Sequence, residues 1–182
     1  MAPRADAIRN RAGILRAARR LIAERGPEVG MDEIAAEAGV AVGTLYRHFP
    51  TKVSLVGAAM AELADEIVAR LDAALARIDA GGAALAEITA LLRWVALEMD
   101  QDRALREAAT NLGAYSLADA ERRSRDALGM MVEAAQRQGD LYADVTVDDL
   151  ALLMTTMPGT DTPAARRERW LELSLRGLIR QA

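Results

Sequence analysis

Apolar residues recur at helical spacing along almost the whole chain of 182 residues. Over residues 6–25, for example, Ile8, Leu15 and Ile22 lie on one stripe of a helix. No run alternates apolar and polar residues as a half-buried strand would, and β-branched and aromatic residues are sparse. The pattern therefore predicts an all-α fold of about nine helices. We expect these helices at residues 6–25, 32–38, 42–49, 52–78, 84–99, 103–113, 116–138, 147–157 and 163–180.

Two short predicted helices separated by a glycine carry the most information about function. Ile34 belongs to a narrow apolar stripe on residues 32–38, and Gly39 supplies the positive φ that a tight turn needs. Leu45 and Phe49 mark the buried side of the second helix. Its other side offers Thr44, Tyr46, Arg47 and His48. A short helix pair of this kind is the helix-turn-helix plan, in which the second helix enters the major groove of DNA.

The charge distribution agrees with a nucleic-acid partner although the net charge is −4. Residues 1–55 carry nine Arg and Lys against six Asp and Glu, and the remainder carries fourteen against twenty-one. Six arginines in the first 23 residues face a single acidic residue, Asp6. A basic N-terminal region followed by an acidic remainder is typical of a DNA-binding domain joined to a second domain that does not bind DNA. A solvated helix face would explain the same charges.

The residues around the helix pair follow a dense pattern. Its members are Gly26-Pro27, Asp32-Glu33-Ile34-Ala35, Ala38-Gly39-Val40, Gly43-Thr44-Leu45-Tyr46-Arg47-His48-Phe49 and Thr51-Lys52-x-x-Leu55. This pattern resembles the N-terminal domain of TetR-family transcriptional regulators and covers roughly residues 8–57. The chain departs from the family at Gly30 and Ala41, where a hydroxyl side chain often caps the next helix.

The resemblance implies which side chains contact DNA. Thr44, Tyr46, His48 and Lys52 would contact the DNA backbone, and hydroxyls and cations suit phosphate oxygens. Arg47 is the candidate for reading bases, because an arginine that donates two hydrogen bonds to guanine is the commonest specific contact. Gly43 would let the helix approach the duplex closely. Together these residues form the predicted DNA-binding site.

The rest of the chain is predicted to bind a ligand and to dimerise. We place the domains at residues 1–52 and 53–182, with the fourth helix bridging them, and Gly81-Gly82 as the clearest linker. The resemblance implies a pocket for a small apolar or amphipathic effector. Its candidate lining is Trp94, Leu97, Met99, Leu112, Tyr115, Met130 and Met131, although such residues are more often ordinary core. The last two helices carry more apolar surface than one packing face needs, which predicts a homodimer interface at Leu153, Met157, Trp170, Leu171 and Leu178.

Other classes of protein fit less well. Cysteine is absent, which excludes disulfides and thiol chemistry, and the single histidine lies in the predicted DNA-reading helix. We expect no enzyme, no catalytic residue, no metal and no cofactor. Because no apolar run is long enough for a bilayer, we expect no membrane span and a cytoplasmic protein. The sequence thus predicts a dimeric repressor that binds a pseudo-palindromic operator and is released by an effector. An all-helical protein-interaction module without sequence-specific DNA binding is the alternative.

Overall fold

The protein is described here from a computed structural model that covers residues 2–97, 102–113, 118–159 and 161–180, with side chains from residue 5 onward. These residues contain nine helices, and their one β-pairing is an isolated bridge between Leu141 and Ile179. The all-α prediction is confirmed. The helices are α1 (Ala2–Arg25), α2 (Met31–Glu37), α3 (Val42–His48), α4 (Lys52–Asp79), α5 (Ala84–Leu97), α6 (Arg103–Asn111), α7 (Ala118–Gln138), α8 (Val147–Thr156) and α9 (Ala164–Arg176).

Local sequence signals explain the first helix boundaries. Gly26 follows the last residue of α1 with φ 83°, and Gly39 follows α2 with φ 67°; both lie in the left-handed region that glycine adopts at low cost. Thr51 caps α4, because its Oγ1 accepts the Ser54 amide at 3.1 Å while Ser54 Oγ accepts the Thr51 amide at 3.2 Å. The predictions for the Gly39 turn and the Thr51 cap are therefore confirmed.

The end of α9 differs from the prediction. The helix stops at Arg176 and does not continue to residue 180. The chain beyond it runs beside the segment that follows α7, where the Arg180 amide donates to the Asp140 carbonyl at 2.9 Å and the Tyr142 amide donates to the Leu178 carbonyl at 3.2 Å. The Arg180 amide, which a continued helix would bond to the Arg176 carbonyl, is thereby taken up by a distant segment, so the apolar pattern alone overestimates the helix.

The chain forms two compact units, and the first is not continuous in sequence. It comprises Met1–Ala64 and Gln101–Leu117, so it holds α1, α2, α3, the beginning of α4, and α6. Within it, α1 packs against α2, α3 and α6. Its core includes the fully buried side chains of Ile14, Leu15, Ile22, Ile34, Leu45 and Leu105. Helix α6 is therefore part of the same core as the helix pair.

The second unit comprises Asp65–Asp100 and Ala118–Ala182. Helix α5 is central to it and packs against α7, α8 and α9, and its Ile88 and Leu92 are buried. The predicted linker is a turn between α4 and α5. Gly82 is required there, because a Cβ would lie 2.7 Å from the Arg77 carbonyl oxygen. No helix in the described part of the chain is long and apolar enough to cross a membrane.

An ion pair stabilises the turn between α4 and α5. Arg77 Nε and Nη2 each donate to one oxygen of Glu87 at 2.7 Å, which joins the end of α4 to the first turn of α5. The hydrogen bonds from Arg77 lower the pKa of the Glu87 carboxyl. The second unit therefore has a pH-sensitive contact beside Gly82. The predicted domain boundary between residues 52 and 53 separates DNA binding from ligand binding, and it stays a prediction.

Candidate nucleic-acid interface

The helix pair is held by a small apolar core in the first unit. Ile34 and Ala35 on α2 and Leu45 on α3 are fully buried, and Phe49 at the end of α3 is nearly so. Because both helices have only seven residues, packing rather than helix propensity keeps them in place. The buried side of α3 thereby fixes which of its residues face away from the core.

The outward side of α3 carries the predicted DNA-binding residues. Tyr46 and Arg47 are exposed, while Thr44 and His48 are half-buried. Arg47 Nε donates to the Gly43 carbonyl at 3.2 Å, which turns the guanidinium back along the helix and leaves both Nη groups for a partner. A Cβ on Gly43 would meet nothing within 4 Å, so the space around this residue is open.

The first turn of α4 extends the same stretch of chain. Lys52 is half-buried and directly follows the Thr51 cap, and Val53 beside it is exposed. Lysine near the free amides of a helix N-terminus is well placed for a phosphate oxygen. The sequence predicted a role for Lys52, whereas nothing in the structure assigns a role to the exposed Val53.

The positive charge of α1 is largely neutralised within the unit. Arg9 pairs with Asp6, Arg20 pairs with Glu37, and Arg11 lies 3.6 Å from Glu62. Arg19 donates to both oxygens of Asp102, at 3.0 and 2.9 Å. These paired arginines of α1 therefore contribute little net positive charge to the unit. Counting charges along the sequence overlooks carboxylates that the fold brings in from elsewhere.

The basic residues of α3 and of the first turn of α4 differ in this respect. Among the residues that the structure describes, Arg47, His48 and Lys52 have no carboxylate partner. Arg47 and Lys52 are positively charged, and the three residues lie within six positions of one another in the chain. The positive charge of α3 and of the first turn of α4 thus coincides with the residues predicted to contact DNA.

Arg11 has a structural role that the sequence did not indicate. Its guanidinium carbon lies 5.5 Å from the centre of the Phe49 ring, and the same group approaches Glu62 on α4. Since Phe49 is the C-cap of α3, Arg11 connects α1 to the end of α3 and to α4. It positions the helix that carries the candidate site.

The predicted effector-pocket residues lie in several places. Trp94 on α5 is nearly buried beneath Arg70, whose guanidinium carbon lies 4.1 Å from the ring centre, and Leu97 is half-buried on the same helix. On α7, Met131 is fully buried whereas Met130 is exposed. Leu112 belongs to the first unit, and Met99 and Tyr115 lie outside the described residues. The effector pocket remains a prediction.

A concavity of about 570 Å³ lies on the outer side of α5, within the second unit. Ala86, Thr89, Ala90 and Arg93 are among its lining residues, and none of the residues predicted for the pocket lines it. Small side chains form most of its floor.

The predicted dimer residues are also distributed unevenly. Leu171 is buried within the second unit, while Leu153, Met157, Trp170 and Leu178 are half-buried. The large apolar residues that α8 and α9 do expose are Leu152, 61% exposed, and Leu173, 51% exposed. The interface stays a prediction, and these two leucines join its candidates.

Comparison with known proteins agrees with the fold and the motif. Residues 14–59 match the family described as bacterial regulatory proteins, tetR family, and residues 83–180 match the C-terminal domain of SbtR-like transcriptional regulators. The crystal structure of a TetR transcription regulatory protein from Mycobacterium vanbaalenii superposes with a TM-score of 0.73 at 34% identity, over 97% of this chain and 99% of that one. A gamma-butyrolactone receptor described as ArpA-like superposes with a TM-score of 0.68 at 29% identity, over 96% of this chain and 90% of that one.

A curated relative gives a similar result. The HTH-type transcriptional repressor KstR of Rhodococcus jostii is 33% identical over 125 residues, which are 68% of this chain. The matched regions cover between 29% and 56% of the length of the curated relatives.

The helix-turn-helix, the all-α fold and these matches define the class of helix-turn-helix transcriptional regulators. Within that class, the chain belongs to the TetR family. Regulators of this family bind DNA, typically as dimers that respond to small molecules, and they are not enzymes. Membership in the family disfavours the alternative of an interaction module without DNA binding.

Proposed function

We propose that this protein is a dimeric transcriptional repressor that binds a pseudo-palindromic operator and is released by a small apolar or amphipathic effector. The observation that carries the proposal is the distribution of charge in the first unit. Arg47, His48 and Lys52 lack carboxylate partners among the described residues, whereas the cations of α1 are mostly paired. Cations that the protein leaves uncompensated on one surface favour a polyanion there.

The residues of the site have distinct roles in this proposal. Thr44, Tyr46, His48 and Lys52 contact phosphate and fix the register of α3 in the major groove. Arg47 reads a guanine, since its two Nη groups can donate to O6 and N7 at once. Gly43 has open space around it, so the backbone of α3 can approach the bases closely.

Dimerisation through α8 and α9 supplies the two-fold symmetry of the operator. Leu152 and Leu173 are exposed leucines on these helices, and covering them in a second copy removes apolar surface from water. Two copies of α3 then read half-sites about 34–36 Å apart, one helical turn of DNA. The R. jostii relative that bears the name of repressor supports repression as the outcome.

The effector is proposed to act through the chain segments that belong to both units. Helix α4 contributes residues to each unit, and the chain crosses between them again on either side of α6. A molecule bound in domain 53–182 can therefore shift the DNA-reading domain, residues 1–52, with a coupling of about 1–3 kcal/mol. The relative described as a gamma-butyrolactone receptor supports a small amphipathic effector. The site of action is the cytoplasm, where the DNA is.

The proposal is tested by selection from a random pool of duplex DNA. We expect the purified protein to enrich an inverted repeat. The variants Arg47→Ala and Lys52→Ala should bind that repeat more weakly, and the second should reduce the slope of affinity against salt by about one phosphate contact. Arg25→Ala is the matched control, because it removes the same charge from an arginine that is paired with Glu33. Failure to enrich any sequence at low salt would contradict the proposal.

A further inference from the structure

Helix α3 exposes an apolar side chain beside its polar residues. Val42 is 40% exposed and Tyr46 is 44% exposed, and their spacing of four places both on one side of the helix. Leu45 and Phe49 face the core instead. The helix thus presents one branched aliphatic residue outward, at the end opposite to Arg47 and His48.

The side chains in the first turn of α3 contribute little to the stability of the helix. Ala41 occupies the N-cap and makes no side-chain cap hydrogen bond. Val42 has low helix propensity and is exposed, and Gly43 weakens a helix without filling any space. Three successive side chains that add little to helix stability are expected where a partner, and not the protein, selects them.

The chemistry of the major groove limits what an aliphatic side chain can recognise. The base edges there present hydrogen-bond donors and acceptors, and the thymine 5-methyl is the one apolar group among them. The charge of α3 and of the first turn of α4 favours DNA as the partner of this helix, because Arg47 and Lys52 lack carboxylate partners among the residues described. The absent side chain of Gly43 lets the valine methyls reach the base edge.

We propose that Val42 reads the 5-methyl group of a thymine in each half-site of the operator. This inference rests on the proposed function and adds the chemistry of one recognised base. The side chain excludes water from the thymine methyl and leaves cytosine and the purines without an apolar partner. Val42 is therefore a specificity-determining residue, whereas Thr44, Tyr46, His48 and Lys52 set affinity through phosphate.

The experiment replaces thymine by deoxyuridine, which lacks only the 5-methyl group. Each thymine of the selected operator is exchanged in both half-sites, and dissociation constants are measured by fluorescence anisotropy. At one symmetry-related pair of positions, we expect the unsubstituted protein to lose about fourfold in affinity per half-site, the effect of one buried methyl group. The Val42→Ala variant should bind the thymine and deoxyuridine operators equally. At the same position, 5-methylcytosine should bind better than cytosine.

Val53→Ala is the matched control. Val53 is also 40% exposed and lies in the first turn of α4, so the same substitution removes the same atoms from the neighbouring surface. This variant should keep the full response to deoxyuridine. The proposal is overturned if no thymine position depends on its methyl group, if Val42→Ala keeps that dependence, or if Val53→Ala loses it. If an operator is enriched but shows no methyl dependence, the repressor function stands and the role of Val42 does not. If no operator is enriched, both proposals fail.

Discussion

Asp102 binds Arg19 through both carboxylate oxygens, at 3.0 and 2.9 Å, across 83 positions of sequence. The Asp102 side chain is 6% exposed and precedes α6, yet it makes no cap hydrogen bond with that helix. Its hydrogen-bonding capacity is directed to α1 instead. The pair therefore connects α6 to the helix that packs on α2 and α3, all within the first unit.

Removing one partner of this pair should destabilise the protein strongly. Asp102→Asn or Arg19→Met breaks an ion pair with two hydrogen bonds whose carboxylate side chain is only 6% exposed, which costs about 3 kcal/mol. Combining Arg19→Met with Asp102→Leu should cost less than the sum of the single changes, since neither charge remains. Urea unfolding measures each free energy. Glu107→Gln, which breaks the exposed pair between Arg103 and Glu107, should change stability by no more than about 0.5 kcal/mol. An effect of Asp102→Asn as small as this would contradict the prediction.

Gly43→Ala should raise stability and lower affinity for DNA. The residue is helical, and an added Cβ meets nothing within the protein, so alanine should stabilise the fold by about 0.5–1 kcal/mol. The same methyl group would stand between α3 and the base edges. Thermal unfolding and operator binding are the two measurements. Gly129→Ala in α7 is the control, because its Cβ would lie at an ordinary contact distance, 3.6 Å from Val147 Cγ2, and should not affect DNA binding. Unchanged operator affinity in Gly43→Ala would show that the open space at Gly43 is not needed for the approach of α3 to DNA.

The pair of Arg77 and Glu87 should make stability depend on acid pH. Hydrogen bonds from Arg77 hold the pKa of Glu87 below its ordinary value of 4.5, so the folded state binds fewer protons than the unfolded state there. The contribution is complete above the ordinary value and disappears as pH falls through the lowered one. Glu87→Gln should therefore melt at a lower temperature near neutral pH and should approach the unsubstituted protein under acid conditions. A difference that is constant across pH would refute this assignment.

Charged residues at the exposed leucines of α8 and α9 should dissociate the dimer. The combined change of Leu152→Glu and Leu173→Glu places like charges on a surface that we propose to be self-complementary. We expect a folded monomer in analytical ultracentrifugation and a steep loss of operator affinity, because the two half-sites are no longer bound together. Tyr142→Glu provides the comparison, since Tyr142 is exposed in the same unit but lies outside both helices. A double variant that still sediments as a dimer would place the interface elsewhere.

The sequence predicted what short-range physics decides. The apolar period located the helices, and Gly39 and Thr51 marked a turn and a cap because φ preference and capping depend on neighbouring residues. The predicted DNA-binding surface with Arg47, His48 and Lys52 came from the resemblance of residues 8–57 to TetR-family N-terminal domains. That surface is still a prediction in terms of DNA contact.

Features that depend on distant segments were beyond the reach of the sequence. The ion pairs of α1 are an example, since nothing in the sequence near Arg19 indicates that it pairs with Asp102. Likewise, the helical period of α9 places leucines around much of its circumference and does not say that Leu171 faces inward while Leu173 faces outward. Only the packing of the second unit makes that choice.

The inclusion of residues 101–117 in the first unit limits how regulators of this kind can be recombined. A chimera that joins this chain to a foreign C-terminal part after Ala64 would leave Arg19 without Asp102 and α1 without the apolar side of α6. A working chimera of this chain therefore needs one of two things. Either α6 is transferred together with α1, α2 and α3, or the foreign helix in its place offers an equivalent carboxylate to Arg19. The first unit is therefore encoded by two separate segments of the gene.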